Sequence, residues 1–141
     1  MSYAKALMVD DDPVFRALAE DMVLDAGVQA VETADNGLEA LARLDAGYAP
    51  DILICDLNMP AHDGVSLIRS LADRRFPGKV LIISGEEPSV IETVCKLARI
   101  QGLNIIGSIR KPLTPEALEA VFARSAPAPK KADLAPAQPS L

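Results

Sequence analysis

The sequence predicts a doubly wound α/β fold, in which a five-stranded parallel sheet carries helices on both faces. Short apolar segments alternate with amphipathic helical patterns five times along the 141 residues. Residues 52–55 and 80–83 are apolar on both faces, which is typical of strands covered by helices on each side. Because crossovers between parallel strands are right-handed, this alternation gives a doubly wound sheet.

Helix-capping and helix-breaking residues mark the boundaries of the predicted helices and strands in the first half of the chain. Asp12 can cap the first helix, and Pro13 suits its first helical position. In the second helix, Leu38, Leu41 and Leu44 share one face. We predict strands at about 4–9, 28–34 and 51–55, with helices at 13–26 and between the breaks at 35–37 and 47–50.

Glycine and proline residues delimit the second half in the same way. Gly64 precedes a third helix that carries Val65, Ile68 and Leu71, and Pro77-Gly78 ends that segment. The remaining predicted elements are strands at about 80–83 and 104–109 and helices at about 89–101 and 114–124.

Composition limits the class of protein. The length predicts one domain, at 1–125, and the Ala- and Pro-rich residues 126–141 predict a linker or disordered tail. The net charge of -6 argues against direct nucleic-acid binding. A signal-peptide stretch and an apolar run of membrane-spanning length are both missing from the sequence, so we expect a cytoplasmic protein. Cys55 and Cys95 lie in apolar segments and are expected to be reduced core thiols.

Polar side chains follow four of the predicted strands. They are Asp10 and Asp11 after the first, Asp56 after the third, Ser84 after the fourth and Lys111 after the fifth. The carboxyl ends of parallel strands meet at one edge of the sheet, so these groups are expected to converge there.

Clustered carboxylates need a counter-charge. Two of them about 4 Å apart repel by roughly 4 kcal/mol at an effective dielectric near 20, so the cluster either takes up a proton or binds a cation. All-oxygen ligands with room for water suit Mg²⁺. With Lys111 to neutralise a phosphoryl oxygen and Ser84 to turn toward it, a carboxylate could accept a phosphoryl group. Asp12 is expected to act as a cap, and His62 as a solvated residue.

The segments that carry these groups resemble the receiver domain of two-component response regulators, over about residues 4–124. The matching segments are 9–13, 55–60 with 63–64, 83–84 and 111–112. The resemblance implies a flavodoxin-like sheet of order 2-1-3-4-5. It also implies that a sensor histidine kinase or phosphotransfer protein phosphorylates Asp56.

The same resemblance assigns roles to the other residues. Asp11, Asp56 and the backbone carbonyl of Asn58 would bind Mg²⁺, with Asp10 helping through water. Lys111 would contact the phosphoryl group, and Ser84 would follow it. Asn58 and Glu86 would tune dephosphorylation.

The chain departs from that family at two places. Ser108 stands where receivers usually carry an aromatic switch residue, and the stretch from Ser84 to Lys111 is longer than usual. Residues 102–107 are similar to receivers fused to EAL-type cyclic-di-GMP phosphodiesterase domains. A fused output domain is therefore one candidate partner of this chain, and a second copy in a homodimer is another.

Two other functions compete with a receiver, whose catalysis would be limited to its own phosphoryl transfer and dephosphorylation. Residues 10–14 loosely fit the nucleophile motif of haloacid-dehalogenase-type aspartyl phosphatases, although that function leaves Asp56 without a role. The second alternative is an interaction module that is never phosphorylated.

Overall fold

A computed structural model describes residues 3–58 and 64–125 and contains a five-stranded parallel sheet of order β2-β1-β3-β4-β5. The strands are β1 (Lys5–Val9), β2 (Ala30–Ala34), β3 (Ile52–Asp56), β4 (Lys79–Ser84) and β5 (Asn104–Arg110). The helices are α1 (Pro13–Asp25), α2 (Gly37–Asp45), α3 (Gly64–Asp73), α4 (Pro88–Ile100) and α5 (Pro115–Ser125). The predicted doubly wound fold and strand order are confirmed. His62 and the predicted tail at 126–141 lie outside the described residues.

Two apolar layers enclose the sheet. On one face, Leu53 and Cys55 of β3 pack with buried residues of α2, α3 and α4. On the other face, Ile52 and Ile54 pack with α1 and α5. All five residues of β3 are buried, so the strand that ends in Asp56 is held from both sides. At about 1.5–3 kcal/mol for each large apolar side chain, this burial fixes the position of the strand end.

Side-chain caps fix the start of the helices on either side of β2. The Asp12 carboxylate accepts hydrogen bonds from the backbone N–H groups of Val14 and Phe15, at 3.0 and 3.3 Å. Asn36 caps α2 by accepting from Glu39 N at 2.8 Å. The prediction that Asp12 acts as a cap is therefore confirmed, and the first turn of α1 lies directly beside the end of β1.

A β-bulge modifies the pairing of the last two strands. Val80 pairs with Ile105, whereas the next residue, Leu81, pairs with Gly107, so β5 contains one extra residue. Gly107 has a φ of 156°, a value that residues with a side chain rarely adopt. The bulge places one extra residue in the stretch between Ser84 and Lys111. Beyond it, Ser108 is exposed beside a groove of about 410 Å³ between α4 and β5.

Both cysteines are buried and neither is in a disulfide, as predicted. Among the described residues, the longest helices have 13 residues, and none is long and apolar enough to cross a bilayer.

Candidate functional site at the carboxyl edge of the sheet

Four strand ends deliver polar side chains to one edge of the sheet. Asp10 and Asp11 follow β1, and Asp56 ends β3; carboxylate oxygens of these three residues lie within 4.8 Å of one another. Asp10 and Asp56 are buried, whereas Asp11 is exposed. Ser84, fully buried, ends β4, and Lys111 follows β5. The structure thus brings together the residues that the sequence placed at the strand ends.

Lys111 lies inside this cluster. Its Nζ donates a hydrogen bond to Asp56 Oδ2 at 3.0 Å and forms an ion pair with Asp10 Oδ2 at 3.6 Å. Its backbone N donates to the Ser84 carbonyl at 2.9 Å, which fixes the start of the side chain. Burial opposes the charged ammonium, but the hydrogen bond and the charges of Asp56 and Asp10 outweigh it and raise the pKa of Lys111. The residue therefore carries a stable positive charge at the site.

Asp10 is a fully buried carboxylate of the cluster. Its Oδ1 accepts a hydrogen bond from Asp12 N at 2.8 Å, whereas its buried Oδ2 accepts none from the described residues. Burial, and then the negative charge of Asp56, raise the pKa of Asp10 to about 6, although the Asp12 N–H and Lys111 work in the opposite direction. The positive charge of Lys111 therefore does not fully offset the negative charge of these carboxylates.

The oxygen atoms of this cluster fit a divalent cation. The unsatisfied Asp10 Oδ2 lies beside the carboxylates of Asp11 and Asp56, and oxygen atoms are the ligands that Mg²⁺ prefers. Because Asp11 is exposed, the cation could keep several of its waters, as Mg²⁺ usually does.

Asn58 connects the loop after Asp56 to the loop after β4. Its backbone N donates to Asp56 Oδ1 at 2.9 Å. Its side-chain Oδ1 accepts from Ser84 Oγ at 3.0 Å and from Gly85 N at 3.2 Å, while its Nδ2 donates to the Glu86 carboxylate. Glu86 N also donates to Ser84 Oγ at 3.0 Å. The Ser84 hydroxyl is thus held by Asn58 and Glu86 in this conformation.

Three residues near the site were not assigned a role from the sequence. The ammonium of Lys111 lies 4.4 Å from the centroid of the Phe15 ring. Arg16 donates from Nη1 to the Asp10 carbonyl at 2.6 Å and pairs with Asp35 at 3.0 Å. For Phe15 and Arg16, the only sequence indication was their position on the first turn of the helix that follows Asp10.

Gly64 is the third such residue. A Cβ atom there would lie 2.6 Å from both the backbone oxygen of Asp56 and Cα of Leu57, so a side chain would displace the backbone that carries Asp56. Its backbone N also donates to the Leu57 carbonyl at 3.3 Å. The sequence identified Gly64 as the residue before a helix and as part of the segment that resembles receiver domains, but it did not indicate this close approach to the backbone.

Fold and site together define the doubly wound class of protein that carries an acidic site at the carboxyl ends of its strands. The model of the family described as "Response regulator receiver domain" matches residues 6–123. The chain belongs to this family. The resemblance found in the sequence is therefore confirmed, and neither an aspartyl phosphatase nor an interaction module that is never phosphorylated is favoured.

Individual relatives agree with this assignment. The chain is 34% identical to the chemotaxis protein CheY1 of Helicobacter pylori over 116 residues, which cover 82% of this chain and 90% of that protein. It is 29% identical over 93 residues, 66% of its length, to the virulence transcription regulator BvgA of Bordetella pertussis, of which the match covers only 44%. The structure of CheY4 from Vibrio cholerae superposes with a TM-score of 0.74 at 30% identity, covering 86% of this chain and 97% of that one.

Proposed function

We propose that this receiver domain accepts a phosphoryl group on the side chain of Asp56. The observation that carries the proposal is the position of this carboxylate. It ends a buried strand, it is 2% exposed, and it accepts a hydrogen bond from Lys111 at 3.0 Å. Two further carboxylates within 4.8 Å provide a place for a cation that would offset the charge of an incoming phosphoryl group.

The donor is a phosphohistidine on a sensor histidine kinase or phosphotransfer protein. A carboxylate oxygen of Asp56 attacks the phosphorus, and the P–N bond to the donor imidazole breaks. The electron pair of that bond stays on the imidazole nitrogen, which takes a proton from solvent. The product is an aspartyl phosphate. Its hydrolysis, by attack of water on phosphorus, returns Asp56 to the carboxylate.

The proposed Mg²⁺ ligands are Asp10, Asp11, Asp56 and the backbone carbonyl of Asn58, with Asp10 acting through water. When bound, Mg²⁺ neutralises oxygens of the transferring phosphoryl group. Lys111 supplies a second positive charge, and it can move from the Asp56 carboxylate to the phosphoryl oxygens because its side chain is 29% exposed.

Ser84 responds to the new charge. Its hydroxyl points to Asn58 Oδ1 at 3.0 Å, so it must release this acceptor before it can donate to a phosphoryl oxygen. That movement would also loosen the hydrogen bond from Glu86 N to Ser84 Oγ. We propose that phosphorylation is transmitted in this way to the start of α4.

The donor would dock on α1. Val14 and Leu18 are apolar and exposed, at 68% and 55%, and they lie on the first turns of the helix that follows Asp10 and Asp11. An apolar contact here would place the donor imidazole beside the site. The output itself, through a fused EAL-type domain or a homodimer, stays a prediction from the sequence.

The test is the intact mass of the protein after incubation with acetyl phosphate and Mg²⁺. We expect the wild type to gain one phosphoryl group, and Asp56→Asn and EDTA-treated wild type to gain none. Equal labelling of Asp56→Asn would refute the assignment of the phosphoacceptor. Equal labelling in EDTA would refute the metal requirement.

A further inference from the structure

The aromatic ring of Phe15 lies over the ammonium of Lys111. The distance from Nζ to the ring centroid is 4.4 Å, within the range of about 6 Å for a cation–π contact. Carboxylate oxygens of Asp56 and Asp10 lie 3.0 and 3.6 Å from the same nitrogen. Among the residues that the structure describes, the ammonium therefore has one aromatic and two anionic partners.

The ring itself is well anchored. Phe15 lies on the first turn of α1, where its backbone N donates to the capping carboxylate of Asp12 at 3.3 Å. Its side chain is partly buried and packs against the apolar layer formed with α1 and α5. Lys111, in contrast, carries its charge on a flexible four-carbon chain, which can place the ammonium in many positions.

The aromatic contact differs from the ionic ones in what happens during the reaction. A cation bound to Asp56 and Asp10 competes with Lys111 for their oxygens, and during phosphorylation the ammonium must leave the Asp56 carboxylate for the phosphoryl oxygens. Both changes replace the ionic contacts that hold the ammonium in this structure. The ring of Phe15 keeps its attraction for the ammonium throughout, because its quadrupole does not depend on the state of the carboxylates.

We propose that Phe15 is a positioning residue for phosphoryl transfer, whose ring holds the Lys111 ammonium at the site while the carboxylates bind the cation and the phosphoryl group. This role rests on the proposed phosphorylation of Asp56. A cation–π contact of this kind corresponds to about a threefold to tenfold effect on a rate.

The test compares phosphorylation rates of the full chain with acetyl phosphate and Mg²⁺, followed by intact mass. Phe15→Leu removes the ring but keeps an apolar side chain, and Phe15→Tyr keeps the ring. We expect Phe15→Leu to react about threefold to tenfold more slowly than wild type, and Phe15→Tyr to react within about twofold of it.

A double-mutant cycle separates positioning from a general loss of structure. If the ring acts through Lys111, Phe15→Leu will not slow the reaction further in a Lys111→Gln background. A variant that is merely less stable would slow the reaction by the same factor in both backgrounds, and that result would overturn the role.

Other outcomes are equally decisive. A Phe15→Leu protein that reacts as fast as wild type would overturn the role of Phe15. It would leave the proposed phosphorylation of Asp56 untouched, because the wild type would still gain a phosphoryl group. If wild type itself gained no phosphoryl group, the proposed function would fail, and the role of Phe15 with it.

Discussion

Replacing Asp10 by Asn should stabilise the metal-free protein. The Asp10 carboxylate is buried, and its Oδ2 accepts no hydrogen bond from the described residues. Its pKa of about 6, against an ordinary value of 3.8, means that the folded state holds the charged form unfavourably. Asparagine removes the charge and can still accept the hydrogen bond from Asp12 N through its Oδ1.

The size of the effect follows from that pKa. The difference between the ordinary pKa of 3.8 and a pKa of about 6 corresponds to about 3 kcal/mol at pH values above both. This figure already includes the opposing attraction of Lys111, which lies 3.6 Å from Asp10 Oδ2. We expect about 1–3 kcal/mol of stabilisation, and about 4 °C in Tm for each kcal/mol in a domain of this size.

The pH dependence has a definite sign. Below about pH 4 the Asp10 carboxyl is protonated in both the folded and unfolded states, so it costs nothing. Between about pH 4 and 6 the unfolded chain releases this proton first, so the free energy of unfolding of wild type falls as pH rises. The advantage of Asp10→Asn should therefore be small near pH 4 and complete above about pH 7.

The assay is thermal unfolding in EDTA across this pH range. Asp11→Asn is the matched control, because Asp11 is exposed and its charge is largely solvated, so a smaller change is expected. Adding Mg²⁺ should raise the Tm of wild type more than that of Asp10→Asn, because the variant lacks one proposed carboxylate. An Asp10→Asn protein that is no more stable than wild type near pH 7, or an advantage that does not vary with pH, would refute the reasoning.

Two further predictions concern the loops around Asp56. Asn58→Ala removes the acceptor that holds Ser84 Oγ at 3.0 Å. Phosphorylation by acetyl phosphate should therefore become up to about fivefold faster, which is the equivalent of one net hydrogen bond. An unchanged or slower rate in a time course of intact mass would contradict this. Gly64→Ala places a Cβ 2.6 Å from backbone atoms and should cost about 2 kcal/mol or more in denaturant unfolding. The control Gly85→Ala, where a Cβ meets nothing within 4 Å, should cost much less, and equal losses would argue against a steric cause.

The fold could be predicted because its pattern is local. Apolar runs such as 52–55 end abruptly in a polar residue, and the direction of parallel strands then places Asp56, Ser84 and Lys111 at one edge. These relations depend on backbone topology alone, so the sequence was sufficient to assemble the candidate site.

Contacts that depend on side-chain packing could not be predicted in this way. Phe15 and Lys111 are far apart in the sequence, and their contact depends on where α1 places the ring and where the long lysine side chain places its ammonium. The hydrogen bonds of Asn58 to Ser84 and Gly85 depend on the paths of two loops. The bulge before Gly107 follows from the pairing of β5 with β4, which periodicity does not show.

The central claim is that Asp56 is the residue that carries the phosphoryl group. The most direct measurement is to treat the phosphorylated protein with borohydride, which reduces an aspartyl phosphate to an alcohol with release of phosphate, and then to map the modified residue by peptide mass spectrometry. We predict the alcohol at position 56 alone. Modification at Asp10 or Asp11, with position 56 unchanged, would contradict the account.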